Sequence, residues 1–187
     1  MNGENETLIE TASGARFDLA SPEAETILLA DIAYSLGRIC RYTGHCHGHC
    51  SVAEHSVRCS EVAEESWDER MAVLALFHDA AEAYTGDINK PLKQMLGHRI
   101  VEIESAIQMP VWAAMGIPLP TPEEHHKIKY VDAVLLASEA RDLMTSGGSW
   151  WDIPVDADRN VIAQCWPAER ATDEFLARAA ELGIGDD

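Results

Sequence analysis

Within ALFHDAAEAYTGDINKPLK, Ala75 to Lys93, an adjacent His78–Asp79 pair sits in an apolar, helix-like run, and Glu82 follows one turn after His78. Burying an imidazole or a carboxylate costs several kcal/mol unless it is paired or bound to a metal. Partners for the pair lie elsewhere in the chain. In SVAEHSVRCSEVAEES, Val52, His55, Cys59 and Val62 share one helical face, which puts His55 on the apolar side. In PEEHHKIKYVDAVLLASEA, Ile128, Asp132, Leu135 and Leu136 cluster, so Asp132 also faces inward. Each residue alone reads as a hydrogen-bonded core group. Together, two neutral imidazoles and two carboxylates from three helices form an N2O2 donor set suited to Mn, Fe, Co or Zn.

The elements that must position these groups follow from periodicity and punctuation. TLIETASGARFDLASP reads as two short strands around Ser13–Gly14. From Asp31 the pattern is helical, with Ile32, Leu36 and Ile39 on one face and a stop expected near Gly44. Ser51 and Glu54 are spaced as a capping box that starts the next helix at Ser51. Asp68 caps a helix expected to run through Ala83, with Gly86 beyond it; Met71, Leu74 and His78 share its face, and His78, Asp79 and Glu82 cluster at its end. Gly86–Pro91 is expected to be a loop. A helical stretch covers about Leu92 to Met115, broken at Gly97 and bent at Pro110. Thr121 and Glu124 repeat the capping-box spacing before a helix to about Met144, and a last helix starts near Pro167 ahead of a frayed Gly-Ile-Gly-Asp-Asp end. The expected architecture is one mostly helical domain over residues 1–187, with a hairpin at about 7–19, a metal-binding core at about 31–144 and a C-terminal helix at about 167–182.

The bulk numbers restrict what such a site acts on. The chain has 187 residues, 47% hydrophobic and 25% charged, which suits a single domain with a sizeable core. Its 14 Lys and Arg against 32 Asp and Glu give a net charge of −18, the opposite of a basic face that tracks long nucleic acids. A small phosphorylated substrate remains compatible, because a bound metal and a few local cations reverse the sign inside a pocket. No apolar run approaches the ~18–20 residues of a membrane span. The polar, acidic start MNGENETLIE lacks the pattern of a secretory signal, so the cytoplasm is the expected location. Cys40, Cys46, Cys50, Cys59 and Cys165 read as free thiols.

With SVAEHS (His55), ALFHDAAEAYTGD (His78, Asp79) and YVDAVLLASEA (Asp132) in that order, the chain resembles the HD-domain metal-dependent phosphohydrolases. It looks most similar to the bacterial 5′-deoxynucleotidases and their phage-encoded relatives, some of which are dATP triphosphohydrolases. HDAAEAYTGDINKPLK extends the likeness well beyond the His-Asp doublet, and the resemblance runs from about Asp31 to Leu143. It implies an all-α HD-domain helical bundle, here with a short N-terminal β-hairpin, and His55, His78, Asp79 and Asp132 as ligands of a divalent ion (Mn, Co, Zn or Mg). Glu82 matches the acid that positions or deprotonates the attacking water, a role worth about 100- to 10,000-fold. Asp87 of TGD matches a residue near the water and nucleoside, and Lys90 a phosphate contact. Arg41 stands where relatives keep a substrate-binding arginine, with Arg38 as its competitor. The implied activity is removal of phosphate from deoxynucleoside 5′-monophosphates, with release of triphosphate from deoxynucleoside triphosphates as the alternative; the implied assembly is a homo-oligomer.

Several residues keep two readings at this stage. Tyr42 suits either stacking on a base or packing at a helix end. Asp87 also suits a plain turn. The run GHCHGHC, Gly44 to Cys50, holds five metal-capable side chains, but a structural zinc uses two separated ligand pairs and no second pair exists here. Two alternatives to an enzyme remain: a non-catalytic nucleotide or metal sensor using the same pocket, which the water-activating Glu82 argues against, and a zinc-stabilised interaction protein built on this loop. His45 is the loop residue assigned to phosphate, with His47 and His49 as exposed polar residues. Trp150–Trp151 is expected to be a buried packing anchor or an oligomer contact rather than a base-stacking platform.

Overall fold

The computed structural model describes residues 6–185; Met1–Asn5, the acidic start, and Asp186–Asp187 of the expected frayed end lie outside them. Among the described residues the order is β1 (Leu8–Glu10), β2 (Arg16–Asp18), α1 (Leu29–Arg38), α2 (Val52–Ser66), α3 (Glu69–Leu76), α4 (Glu82–Thr85), α5 (Lys90–Leu96), α6 (His98–Ala114), α7 (Pro122–Leu143) and α8 (Ala168–Glu181). It is a helical bundle carrying a single short hairpin.

The bundle is organised around α2. Almost every residue of its first three turns is buried, the signature of a helix with neighbours on all sides. Those neighbours are α1, α3, α7 and α8. Ser51 caps α2 by accepting from the Glu54 N–H at 3.1 Å. The reciprocal half of the expected capping box does not form. The buried Glu54 carboxylate instead accepts the backbone N–H groups of Gln164 and Trp166, each at 2.7 Å, and so fastens the segment before α8 to the central helix. The Thr121–Glu124 box at the start of α7 is complete.

The hairpin pairs Ile9 with Phe17. Asp31 on α1 accepts both the Ser13 N–H at 2.8 Å and the Ser13 hydroxyl at 2.7 Å, which anchors the turn. Phe17, fully buried, stacks on Tyr84 with ring centroids 3.9 Å apart.

Three expected boundaries differ, two for a tertiary reason and one for a local cap. Helix α1 ends at Arg38 rather than near Gly44. From Ile39 the chain is extended and pairs with the approach to α2: the Val52 N–H donates to the Ile39 carbonyl at 3.1 Å and the Arg41 N–H to the Cys50 carbonyl at 2.8 Å. The helix expected from Asp68 through Ala83 is interrupted between Leu76 and Glu82. The Gln108 side chain of α6 enters the gap, its Oε1 accepting the Ala81 N–H at 3.0 Å and its Nε2 donating to the Phe77 carbonyl at 2.9 Å. An inserted side chain of this kind breaks the regular i→i−4 ladder. Lys90, expected in a loop, is the first residue of α5, whose cap is Asn89. The break at Gly97, with φ of 70°, separates α5 from α6 as expected.

Candidate metal centre and cleft

The interrupted stretch puts His78 and Asp79, adjacent in sequence, at the same point. In a continuous helix neighbouring residues diverge by about 100° around the axis. Here, in the turns between α3 and α4, the two side chains meet all the same. His78 Nε2 lies 3.1 Å from Asp79 Oδ2, and His55 Nε2 lies 3.9 Å from the same oxygen and 3.2 Å from Asp132 Oδ1. The two imidazole centroids are 5.4 Å apart. The structure therefore brings together His55 from α2, the His78–Asp79 turn and Asp132 from α7.

Both imidazoles have their tautomer set from behind. His55 Nδ1 meets Glu139 Oε1 at 2.8 Å, and His78 Nδ1 meets the Ala75 carbonyl at 2.7 Å. These oxygens can only accept, so each Nδ1 carries the hydrogen and each neutral ring turns an Nε2 lone pair to the centre. His78 Nε2 is buried and has no hydrogen-bond partner of acceptable geometry, since Asp79 at 3.1 Å lies off its axis. An inward-facing lone pair beside two carboxylates fits a divalent cation. The electrostatics agree. Burial works to lower the His78 pKa, yet the adjacent Asp79 carboxylate pushes it up to about 10. Burial likewise opposes ionisation of Asp79, and His78 and His55 nevertheless hold it well below the usual carboxylate range. The carboxylates thus attract a positive charge, and without an ion a proton supplies it.

Glu139 is the hub behind this centre. Its buried carboxylate accepts from His55 Nδ1, from Arg41 Nε at 2.9 Å and from the Tyr42 hydroxyl. Burial opposes its charge, but Arg41 and His55 bring its pKa down to about 2. Tyr42 and Thr43, at φ of 59° and 54°, occupy the left-handed region that costs non-glycine residues on the order of 1–3 kcal/mol. That strained turn delivers Arg41 and Tyr42 to Glu139.

Above the centre opens a cleft of about 690 Å³, lined by Asp79, Asp132 and Glu82 at the centre and by Arg41, Tyr42, His45, Asp87, Lys90 and Lys93 around it. Trp150, Trp151, Asp152 and Ile153 close one wall. Glu82 is 6% exposed, its Oε2 has no hydrogen-bond partner, and its Oε1 lies 3.5 Å from Lys93 Nζ. Burial, then the Asp79 and Asp87 charges, push its pKa up to about 9.

No protein-family model matches the chain. The uncharacterized protein YfdR of Escherichia coli K12 is 37% identical over 147 residues, covering 79% of this chain and 78% of YfdR. The chain belongs to the YfdR family. An uncharacterized protein of Rhodobacter capsulatus is 36% identical over 138 residues, 70% of each chain. More distantly, a protein of Cronobacter sakazakii named 5′-deoxynucleotidase is 26% identical over 146 residues, 64% of this chain and 73% of that one.

In this YfdR-family chain the two arginines that competed at the sequence level are separated. Arg41 is buried at the cleft, whereas Arg38 lies over the Tyr34 ring and bonds Glu169 and Thr172 away from it. His45 is exposed at the cleft, while His47 meets Thr145 and His49 meets the Gly37 carbonyl. The tryptophan pair is not a buried anchor: Trp150 is 78% exposed and Trp151 packs tilted against Tyr42 at 5.7 Å. The irregular 145–166 segment lacks the helical repeat that would bury the pair. Glu139 and Gln108 escaped sequence reasoning. Glu139 had a signal, because it stands two turns after Asp132 on the same face of α7; Gln108 had none.

Proposed function

We propose that the protein is a metal-dependent phosphohydrolase that releases phosphate from deoxynucleoside 5′-monophosphates. The observation that carries the reading is the meeting of His55, His78, Asp79 and Asp132 at the floor of a cleft that also holds the buried Glu82. The name of the Cronobacter relative supports the same class of reaction.

His55, His78, Asp79 and Asp132 would hold the ion, which when bound neutralises a phosphoryl oxygen and makes water a better nucleophile. With the Asp79 and Asp132 charges offset by the positive charge of the bound ion, Glu82 would return to its ionised form and then take the proton of the attacking water at Oε2, the carboxylate oxygen left without a partner. Arg41, tethered through Nε to Glu139, presents its guanidinium to phosphate, and Lys90 adds a point charge at the mouth. Tyr42 and Trp151 offer aromatic surface for a base, His45 edges the phosphate side, and Asp87 adds a polar group near Glu82.

The charge balance of the cleft favours a monophosphate. Its cationic side chains are Arg41, Lys90 and Lys93, against Asp79, Glu82, Asp87, Asp132 and Asp152. Lys93 is already engaged by Glu104 at 2.9 Å. A triphosphate tail needs more positive charge than this lining supplies.

The test is a product screen over deoxynucleoside and ribonucleoside mono- and triphosphates with Mn, Co, Zn and Mg in turn. Orthophosphate from deoxynucleoside monophosphates is expected. Inorganic triphosphate from the triphosphates would move the assignment to a triphosphohydrolase. No product from any pairing, with the ion bound, would overturn the enzymatic reading.

A further inference from the structure

Cys59 lies one turn after His55 on α2, so the two side chains project to the same spot. Its Sγ is 3.4 Å from His55 Nε2, the nitrogen that also faces Asp132 and Asp79. The Cys59 sulfur and one imidazole nitrogen each of His55 and His78 lie within 4.8 Å of one another. Among the described residues, His55, Cys59 and His78 are a group of donors close enough together to hold an ion. Nitrogen and sulfur bound to one tetrahedral zinc stand about 3.6 Å apart, from bond lengths of roughly 2.05 and 2.3 Å.

We infer that Cys59 is a sulfur donor to the ion, completing a set with His55, His78, Asp79 and Asp132. The inference rests on the reading of those four residues as a metal centre. A buried cysteine commonly does no more than pack. Here a second observation points to a ligand: His78 Nε2, on a side chain only 9% exposed, faces the same spot without a hydrogen-bond partner. The thiol is itself 1% exposed, so the donor lies on the protein side of the centre and leaves the cleft side open to substrate. As the sulfur–metal bond forms, the S–H bond breaks and its proton leaves to solvent.

The consequence is selectivity. Carboxylates and imidazoles alone accept Mg or Mn, whereas a thiolate tilts the set toward Zn, Co or Fe. The ion expected in the resting protein is therefore a thiophilic one.

Two readouts independent of turnover test this on the full chain. X-ray absorption at the zinc edge of the loaded wild-type protein reads the ligand shell directly, and a sulfur scatterer near 2.3 Å is expected. Cobalt-loaded protein should show a thiolate charge-transfer band in the near ultraviolet. That band is expected to vanish in Cys59→Ser with the bound cobalt retained, and to persist in Cys46→Ser and Cys165→Ser. A His78-dependent ion with a shell of only nitrogen and oxygen overturns the inference and leaves the metal centre standing. A band lost in Cys46→Ser or Cys165→Ser but kept in Cys59→Ser overturns it too. Metal binding unaffected by His78→Ala brings down both the inference and the centre beneath it.

Discussion

Replacing Glu139 by Gln probes how far the proposed metal centre depends on what lies behind it. Three donors converge on this one carboxylate: His55 Nδ1 at 2.8 Å, Arg41 Nε at 2.9 Å and the Tyr42 hydroxyl. The amide of Gln has a single acceptor oxygen and brings an NH2 group of its own. At least one of the donors therefore faces another donor, and buried Arg41 loses its nearest counter-ion and keeps only Asp79, 3.9 Å from its Nη1. Removing one partner of a buried pair costs about 3–5 kcal/mol. The retained amide oxygen argues for the lower end, about 3 kcal/mol. At roughly 2–4 °C per kcal/mol for a chain of this size, Tm should fall by about 6–12 °C. His55 also loses the acceptor that fixes its tautomer, and loss of such a support weakens metal binding about 10- to 100-fold, or about 1.4–2.7 kcal/mol. Thermal melts of the metal-free protein and competitive metal titration read the two effects separately. A Glu139→Gln variant with the wild-type melting point and metal affinity would refute the assignment of Glu139 as the hub.

Two other substitutions test different parts of the account. Glu82→Gln should keep the ion and lose about 100- to 10,000-fold in turnover, as read by phosphate release at saturating metal; undiminished turnover would remove Glu82 from the mechanism. The same variant has a pH signature in the metal-free protein: because Glu82 is raised from 4.5 to about 9, the folded chain holds a proton that the unfolded chain releases, so stability falls as pH rises through that window. Glu82→Gln should then raise Tm more at pH 8 than at pH 5, and equal shifts at both would contradict the burial of this carboxyl. Gln108→Leu strips the Ala81 N–H and the Phe77 carbonyl of their partners, at about 1–3 kcal/mol each, and should lower both Tm and metal affinity; an effect on neither would show that the break before α4 holds without it.

The residues proposed to hold an ion were legible because their message is local. His55 on an apolar face, His78–Asp79 in an apolar run and Asp132 among Ile128 and Leu135 are read from helical spacing alone, and the spacing holds in α2 and α7. Caps were equally legible where both partners are neighbours, as at Thr121–Glu124. The same logic failed at Ser51–Glu54, because Glu54 found stronger company at Gln164 and Trp166, far along the chain.

By itself, the sequence determined a helical chain with imidazoles on its apolar faces and carboxylates and a glutamate beside them, since periodicity and residue type suffice for that; that Asp132 opens onto the cleft, its side chain 45% exposed, came from the packing. Only the tertiary structure decided that the His78–Asp79 helix breaks, that Glu139 orients His55 and Arg41, that Cys59 joins the histidines, and that the tryptophan pair walls the cleft. Each of those outcomes depends on a contact or an irregular backbone path that helical periodicity does not encode. Gln108 reaches back to Phe77 from α6, and Glu139 reaches His55 from α7. Packing sets these meetings, and the free energy that selects them belongs to the assembled bundle rather than to any one segment.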